Sequence, residues 1–391
     1  MDDASAGRLF YVLAVLCRQT IILTGGRAPV ALDLARQFAR AGCRVVVADS
    51  LAFPLTRFSR AVARSVRVPP PRQQPAAFLD ALARVADDER AVLVVPTCEE
   101  TFAASRLLAR GVPVFTSPPD VLARLHDKGS FAEHAAALGL PVPETHRIET
   151  RAALGPYLTD AWVLKPAFSR FGTEALVPPH SLERLAQIRP TRERPFVAQR
   201  FVPGRQVCTY SVAHAGRIVA HAAYATPFAA GHAGVWFRAV DQPEARVFAE
   251  RLVADERFTG QIAFDFIETD APGGPVVAIE CNPRATSGLH LFGGAPQFAE
   301  AFLSPDIAPV VPAGPDAMLA LPMLAAGLTH RLSPAWRSAF ASARDVAWDP
   351  ADPLPVLGQA FTAATLLARA LCHRCSPLAA TTRDIEWNGE E

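Results

Sequence analysis

The sequence predicts an α/β domain built on a parallel sheet, then an α+β body, then a C-terminal extension. Two observations carry this reading. Between residues 20 and 115 apolar strands alternate with amphipathic helices, the pattern of a doubly wound parallel sheet. From about 116 to 305 the strands come instead as hairpins, which makes antiparallel sheet. Residues 1–19 are an N-terminal extension, and 306–391 an Ala/Pro-rich C-terminal one.

The elements follow in order. TIILTGG (20–26) reads as a buried strand ending in glycine, and Pro29 to Arg40 has helical spacing closed by Ala41-Gly42. RVVVAD (44–49) is the second strand, Ala76 to Ala86 a helix, Ala91 to Val95 a third strand and Val112 to Phe115 a fourth. Ser130 to Leu138 is a short helix; Trp162 to Pro166 and Phe196 to Gln199 are strands, the latter followed by a Pro203-Gly204 turn. Val207 to Val212 and Arg217 to Tyr224 form one hairpin; Gln261 to Glu268 and Pro275 to Asn282 form another, joined by TDAPGG. Gln359 to Ala370 is a helix, and the chain ends in the tail RDIEWNG, residues 383–389. There is no internal repeat.

Composition narrows the function. The formal net charge is +1, so no chain-wide field recruits nucleic acid or an anionic membrane. The seven cysteines form no spaced framework, which fits a reduced, cytoplasmic setting. Cys372 and Cys375 make a lone CxxC with no second pair to complete a zinc site. The apolar run Phe10 to Cys17 is too short to span a bilayer and reads as a packed helix or an over-long start. The turn after the first strand, GGRAP, lacks the spacing of a dinucleotide fingerprint, which speaks against an oxidoreductase.

Lys128 and Lys165 are the only lysines; the other 37 of the 39 basic residues are arginine. Where nearly every cation has become Arg, a surviving Lys marks a slot that takes a slim point charge but not a wide fork. The sharpest chemistry lies in Asp265 and in Glu280-Cys281-Asn282. On a strand, residues i and i+2 share a face, so Glu280 and Asn282 project together and Cys281 points away. If the two strands pair, Asp265 faces the same space. Two carboxylates and an amide oxygen are hard ligands suited to Mg²⁺, or Mn²⁺, completed by substrate phosphates. Arg284, just beyond Pro283, is placed to neutralise phosphoryl oxygens.

Lys128 in DKGSF, Lys165 in WVLKP, the hinge-like AQRFVPG, FDFI and IECNPR occur in the order and rough spacing of the ATP-grasp superfamily. The chain resembles an ATP-grasp carboxylate–amine ligase, with a flavour of carbamoyl phosphate synthetase-like members, over about residues 20–305. The resemblance implies a pre-ATP-grasp domain at 20–115 and a two-subdomain ATP-grasp fold at 116–305 that clasps Mg-ATP. It implies that Lys128 and Lys165 contact the nucleotide, that Gln199, Arg200, Phe201 and Val202 form the hinge along adenine, and that Gln206 stands near the ribose. Asp265, Glu280 and Asn282 would hold magnesium. Arg284 and Lys165 would act on the transferred phosphoryl group, with Ser287 and His290 facing the reacting carboxylate and His290 the candidate acid or base.

Two departures stand out. The phosphate loop, residues 167–173, has one glycine, so Ser169, Arg170, Gly172 and Thr173 would supply its contacts. Arg200 and Gln206 stand where acidic residues are common in the family. The acceptor side is read as Arg27, Glu99, Glu100, Tyr224, Trp236 and Arg238, the first three because ligands of parallel sheets sit beyond the carboxyl ends of the strands. The implied reaction is activation of a small-molecule carboxylate as an acyl phosphate and its capture by an amine, releasing ADP and phosphate. A carboxyphosphate-forming enzyme using bicarbonate and a non-catalytic nucleotide-binding module are the alternatives. A homodimer is expected on resemblance.

Overall fold

The computed structural model describes residues 19–170, 174–231, 233–270 and 274–389. The apolar run at 10–17, Gly172 and Thr173 of the phosphate loop, and residues 271–273 of the TDAPGG link lie outside them.

The first domain is a four-stranded parallel sheet in the order β3-β2-β1-β4. Its strands are β1 (Thr20–Thr24), β2 (Arg44–Asp49), β3 (Arg64–Arg67) and β4 (Leu93–Val95). Helices α1 (Pro29–Arg40) and α2 (Pro75–Asp88) cover it. The expected strand at 112–115 is reduced to a single parallel bridge, Val94 to Val114, because the chain there leaves the sheet edge at once. At the carboxyl end of β1 the backbone of Gly25 turns with φ +69°, and a Cβ there would sit 2.6 Å from Thr97 Oγ1. The turn therefore demands glycine irrespective of any ligand. α3 (Glu100–Ala104) follows β4 directly.

Two helices, α4 (Pro119–His126) and α5 (Lys128–Ala137), lead into a three-stranded antiparallel sheet ordered β5-β7-β6. It comprises β5 (Thr145–Ile148), β6 (Trp162–Pro166) and β7 (Phe196–Arg200), with the short α6 (Leu182–Gln187) between the last two. A larger sheet stands against it, ordered β14-β13-β8-β9-β12-β15-β16. Its strands begin with β8 (Gly204–His214) and β9 (Arg217–Ala225), the first expected hairpin. A small pair, β10 (Ala229–Ala230) and β11 (Ala233–Gly234), precedes β12 (Trp236–Val240). After α7 (Pro243–Asp255) come β13 (Gly260–Thr269) and β14 (Val276–Asn282), the second expected pairing.

The C-terminal extension is woven into this body. β15 (Ala317–Met318) pairs with β12, and β16 (Arg344–Asp345) with β15, while α8 (Ala320–Thr329) and α9 (Pro334–Ser342) bury Met323 and Trp336 against Trp236. α10 (Leu354–His373) is the one described helix long and apolar enough to cross a bilayer by length and composition. One side of it rests on the parallel-sheet domain, with Phe361 stacked on Phe58. α11 (Pro377–Ala380) then returns the tail to the carboxyl ends of β1, β2 and β4.

Candidate active site

The gap between the three-stranded sheet and the β13–β14 hairpin collects the predicted residues. In the hairpin Asp265 lies directly opposite Glu280, and Ala263 opposite Asn282, so the two carboxylates and the amide share one face. Cys281 faces away, buried with Phe264 and Phe266. A bulge follows Asp265, leaving Ile279 without a register partner. The extra residue keeps Phe266 and Ala278 on the core side while Glu280 stays on the open side. It also frees the Ile279 carbonyl, which accepts from Lys165 Nζ at 3.0 Å and from Gln199 Nε2 at 3.4 Å.

Lys165, Gln199 and Thr145 occupy one face of the three-stranded sheet by strand parity and register. Lys165 Nζ donates to Gln199 Oε1 at 3.0 Å, and Gln199 Nε2 donates to Thr145 Oγ1 at 3.2 Å. Gln199 thus orients the lysine. Burial pulls the Lys165 ammonium down to about 8, and nearby Glu280 opposes that shift. Lys128 is set by the start of α5: Asp127 caps the helix through Gly129 N and Ser130 N. The Lys128 N–H donates to Ala167 O, its Nζ donates to Ser169 O at 3.2 Å, and Nζ lies 3.6 Å from Glu280 Oε2. Both lysines are buried, and both reach β14, Lys128 at Glu280 and Lys165 at the Ile279 carbonyl.

Asp265, Glu280 and Asn282 offer the donor types a hard cation takes, with the Asn282 amide here turning Nδ2 toward Asp265 Oδ2 at 3.5 Å. Burial, and after it the facing Glu280 charge, push the Asp265 carboxyl up to about 6. A divalent cation between them would remove that repulsion. Among the described residues no group of three or more His, Cys, Asp or Glu could hold a metal alone. Two carboxylates and Asn282 would therefore depend on phosphate oxygens to complete the shell, as magnesium sites commonly do. Asn282 Oδ1 accepts from Arg284 Nη2 at 3.0 Å, which aims the guanidinium along the same edge.

Glu99 joins this site to the parallel-sheet domain. Its buried carboxylate lies 3.6 Å from Arg284 Nε and ion-pairs with Arg170 of the loop after β6. Glu100 serves the frame instead: its Oε1 accepts from Thr24 Oγ1, Thr97 N and Cys98 N, locking the ends of β1 and β4 together.

Several predicted residues sit elsewhere. Arg27 is fully engaged by Asp49, Ser50 and Asp384, so its fork clamps the C-terminal tail. Arg238 is exposed, pairs with Asp316 at 2.8 Å and lies over the Trp236 ring, and Trp236 itself is core. His290 is buried, with Nδ1 2.7 Å from Asp33 on α1, because its short 3-10 turn (Ser287–Phe292) docks on the parallel-sheet domain. Tyr224 is buried with its hydroxyl 3.3 Å from Thr286 Oγ1; a Cβ on Gly288 would come within 2.6 Å of Tyr224, so that approach requires glycine. Ser287, half-buried, opens the same turn. Arg200 lies over the Trp162 ring, Phe201 donates its N–H to Ala161 O, Val202 is half-buried, and Gln206 is exposed beside Cys208. Sequence reasoning missed Thr145, the Ile279 carbonyl, Asp33 and Trp387. Only Trp387 left a signal, as an aromatic within a charged tail.

No protein-family model matches the chain, and no curated protein matches its sequence. Solved structures do match its fold. N5-carboxyaminoimidazole synthetase from Staphylococcus aureus aligns with a TM-score of 0.61 at 12% identity, covering 81% of this chain and 87% of that one. N5-carboxyaminoimidazole ribonucleotide synthetase from Thermus thermophilus gives 0.54 at 20% identity, over 70% and 73%. L-amino acid ligase from Bacillus licheniformis gives 0.55 at 15% identity, over 70% and 68%. At these identities the likeness shows the fold alone, and it establishes the ATP-grasp fold for this chain.

Proposed function

We propose that this chain, with its ATP-grasp fold, is an ADP-forming ligase that activates a carboxylate as an acyl phosphate and passes it to an amine. The observation that carries the reading is the convergence of Lys128, Lys165, Asp265, Glu280, Asn282 and Arg284 on one gap between two sheets. Asp265, Glu280 and Asn282 would hold magnesium, which supplies charge neutralisation on the phosphates. Lys128 and Lys165 bind and orient the β- and γ-phosphates from the opposite wall. Arg284 stabilises the charge on the phosphoryl group in transfer, its direction fixed by Asn282 and Glu99. Positioning and charge suffice for this chemistry, and none of these residues needs to become a covalent intermediate. The carboxylate then carries the phosphoryl group; an amine forms the new C–N bond as phosphate leaves.

The test is hydroxamate formation from Mg-ATP, hydroxylamine and pools of carboxylic and amino acids. The expected result is a pool-dependent hydroxamate matched one-to-one by ADP. ADP release that depends on bicarbonate, without hydroxamate, would assign carboxyphosphate chemistry instead. Nucleotide binding with no ADP from any pool would favour the non-catalytic module.

Lys165→Arg checks the nucleotide side of the site. The Lys165 ammonium is wedged between Gln199 Oε1 and the Ile279 carbonyl, 3.0 Å from each. A guanidinium fork is wider and would push the two sheets apart. The expected outcome is Mg-ATP affinity weakened by about tenfold or more, measured by calorimetry. Unchanged affinity would remove Lys165 from the phosphate site.

A further inference from the structure

The tail RDIEWNG ends inside the machinery just described. Asp384 is buried, with its carboxylate held by both terminal nitrogens of Arg27, by Ser50 and by Arg369. Those contacts and neighbouring Arg27 keep its carboxyl below the usual range in spite of burial. Arg72 ion-pairs with Glu386 and donates its N–H to Asp384 O. Beyond these anchors Trp387 lies stacked on Phe102 at 4.8 Å and edge-on to Phe168 at 5.3 Å. Its N–H donates to Glu99 Oε2 at 3.4 Å.

These contacts meet at Glu99. One carboxylate receives the tail through Trp387, the loop after β6 through Arg170, and the metal-site arginine Arg284. Phe168 belongs to that same loop, two residues before Arg170 and next to Ser169, whose carbonyl holds Lys128. The Trp387 ring therefore braces the loop from outside, and its backbone braces the carboxylate the loop docks on. The fit is tight: the cavity among Arg72, Glu99, Phe102, Arg106, Glu386 and Trp387 holds only about 50 Å³.

We infer that Trp387 is a positioning residue of the active site, holding the Phe168–Arg170 loop and the Glu99 carboxylate in register with Arg284. That the site is a ligase's rests on the reading above; the bracing of the loop does not. Aromatic packing of this kind resists opening of the elements it joins.

The experiment compares wild type, Trp387→Ala and Trp387→Phe in the full chain. Trp387 is half-buried and packs against the edge of a core cluster rather than within it, so the alanine variant keeps its core. Two rates are read: tryptic cleavage after Arg170, and release of a fluorescent N-methylanthraniloyl-ATP loaded with Mg²⁺. Trp387→Ala is expected to speed both by about fivefold to tenfold, and Trp387→Phe, which retains the ring stack, to restore most of each. Wild-type rates for both in Trp387→Ala would overturn the proposal. So would a general rise in cleavage at all arginines with a lowered Tm that phenylalanine does not rescue, since that marks a mere structural clasp. If wild type binds no nucleotide, the ligase reading falls, and cleavage after Arg170 still decides the role of Trp387.

Discussion

Replacing either Glu280 or Asn282 by alanine is expected to cut Mg²⁺-dependent ATP turnover by about 100-fold or more, with the fold retained. Glu280 faces Asp265 across the hairpin and lies 3.6 Å from Lys128, so its loss takes one proposed metal ligand and the acidic partner of Lys128 together. Stability should hold, because Asp265 is pushed up to about 6 partly by the Glu280 charge, and removing that charge relieves it. Asn282 is proposed to contribute twice, as an amide ligand and as the acceptor that aims Arg284 from 3.0 Å. Its loss should therefore persist at saturating Mg²⁺, whereas part of the Glu280→Ala defect should be recovered there. The measurement is ADP release against Mg²⁺ concentration, with Tm recorded for each variant. Near-wild-type turnover in both would sink the metal assignment. A collapse of Tm would recast the trio as framework.

The hairpin shows why this much was legible from sequence. Strand parity fixes which side chains share a face, and the apolar neighbours of Asp265 and Glu280 left no other reason for two acids there. Parity does not reveal a bulge, so the freed carbonyl of Ile279, which grips Lys165, was invisible. Backbone groups carry no residue signature. Long-range partners failed for a related reason. Arg27 and His290 were placed by their motifs at a ligand end and a reacting carboxylate. What they meet is Asp384 and Asp33, respectively 357 and 257 residues away in sequence. A motif fixes where a side chain starts, and only the packing of distant segments fixes what it touches. The C-terminal extension shows this most fully: RDIEWNG reads only as a tail, and its two acids, Asp384 and Glu386, find buried or half-buried partners in Arg27, Arg369 and Arg72.

Asp33→Ala should be the most destabilising single change, and it separates a structural from a chemical role for His290. The buried Asp33 carboxylate on α1 binds His290 Nδ1 at 2.7 Å and Arg344 through 2.9 and 3.1 Å contacts. Arg344 also donates to the His290 carbonyl at 2.9 Å, and Gln37, one turn along α1, donates to Phe292 O at 2.7 Å. Parallel-sheet domain, ATP-grasp body and C-terminal extension thus meet on one carboxylate. Arg344 and His290 hold that carboxyl below the usual range although burial would raise it. Deleting one partner of a buried ion cluster typically costs about 3–5 kcal/mol, because the remaining charges stay desolvated. The expected result is a loss of that size in urea unfolding, with Mg-ATP affinity preserved in the folded fraction. The sign with pH follows from the depressed carboxyl. Its contribution is fully present above the ordinary carboxylate range and fades as pH falls below about 4 toward the lower folded value. Wild type and Asp33→Ala should therefore converge in acid. If Asp33→Ala keeps its stability and instead loses ADP formation, the Asp33–His290 pair is catalytic, and the joint between the three regions lies elsewhere.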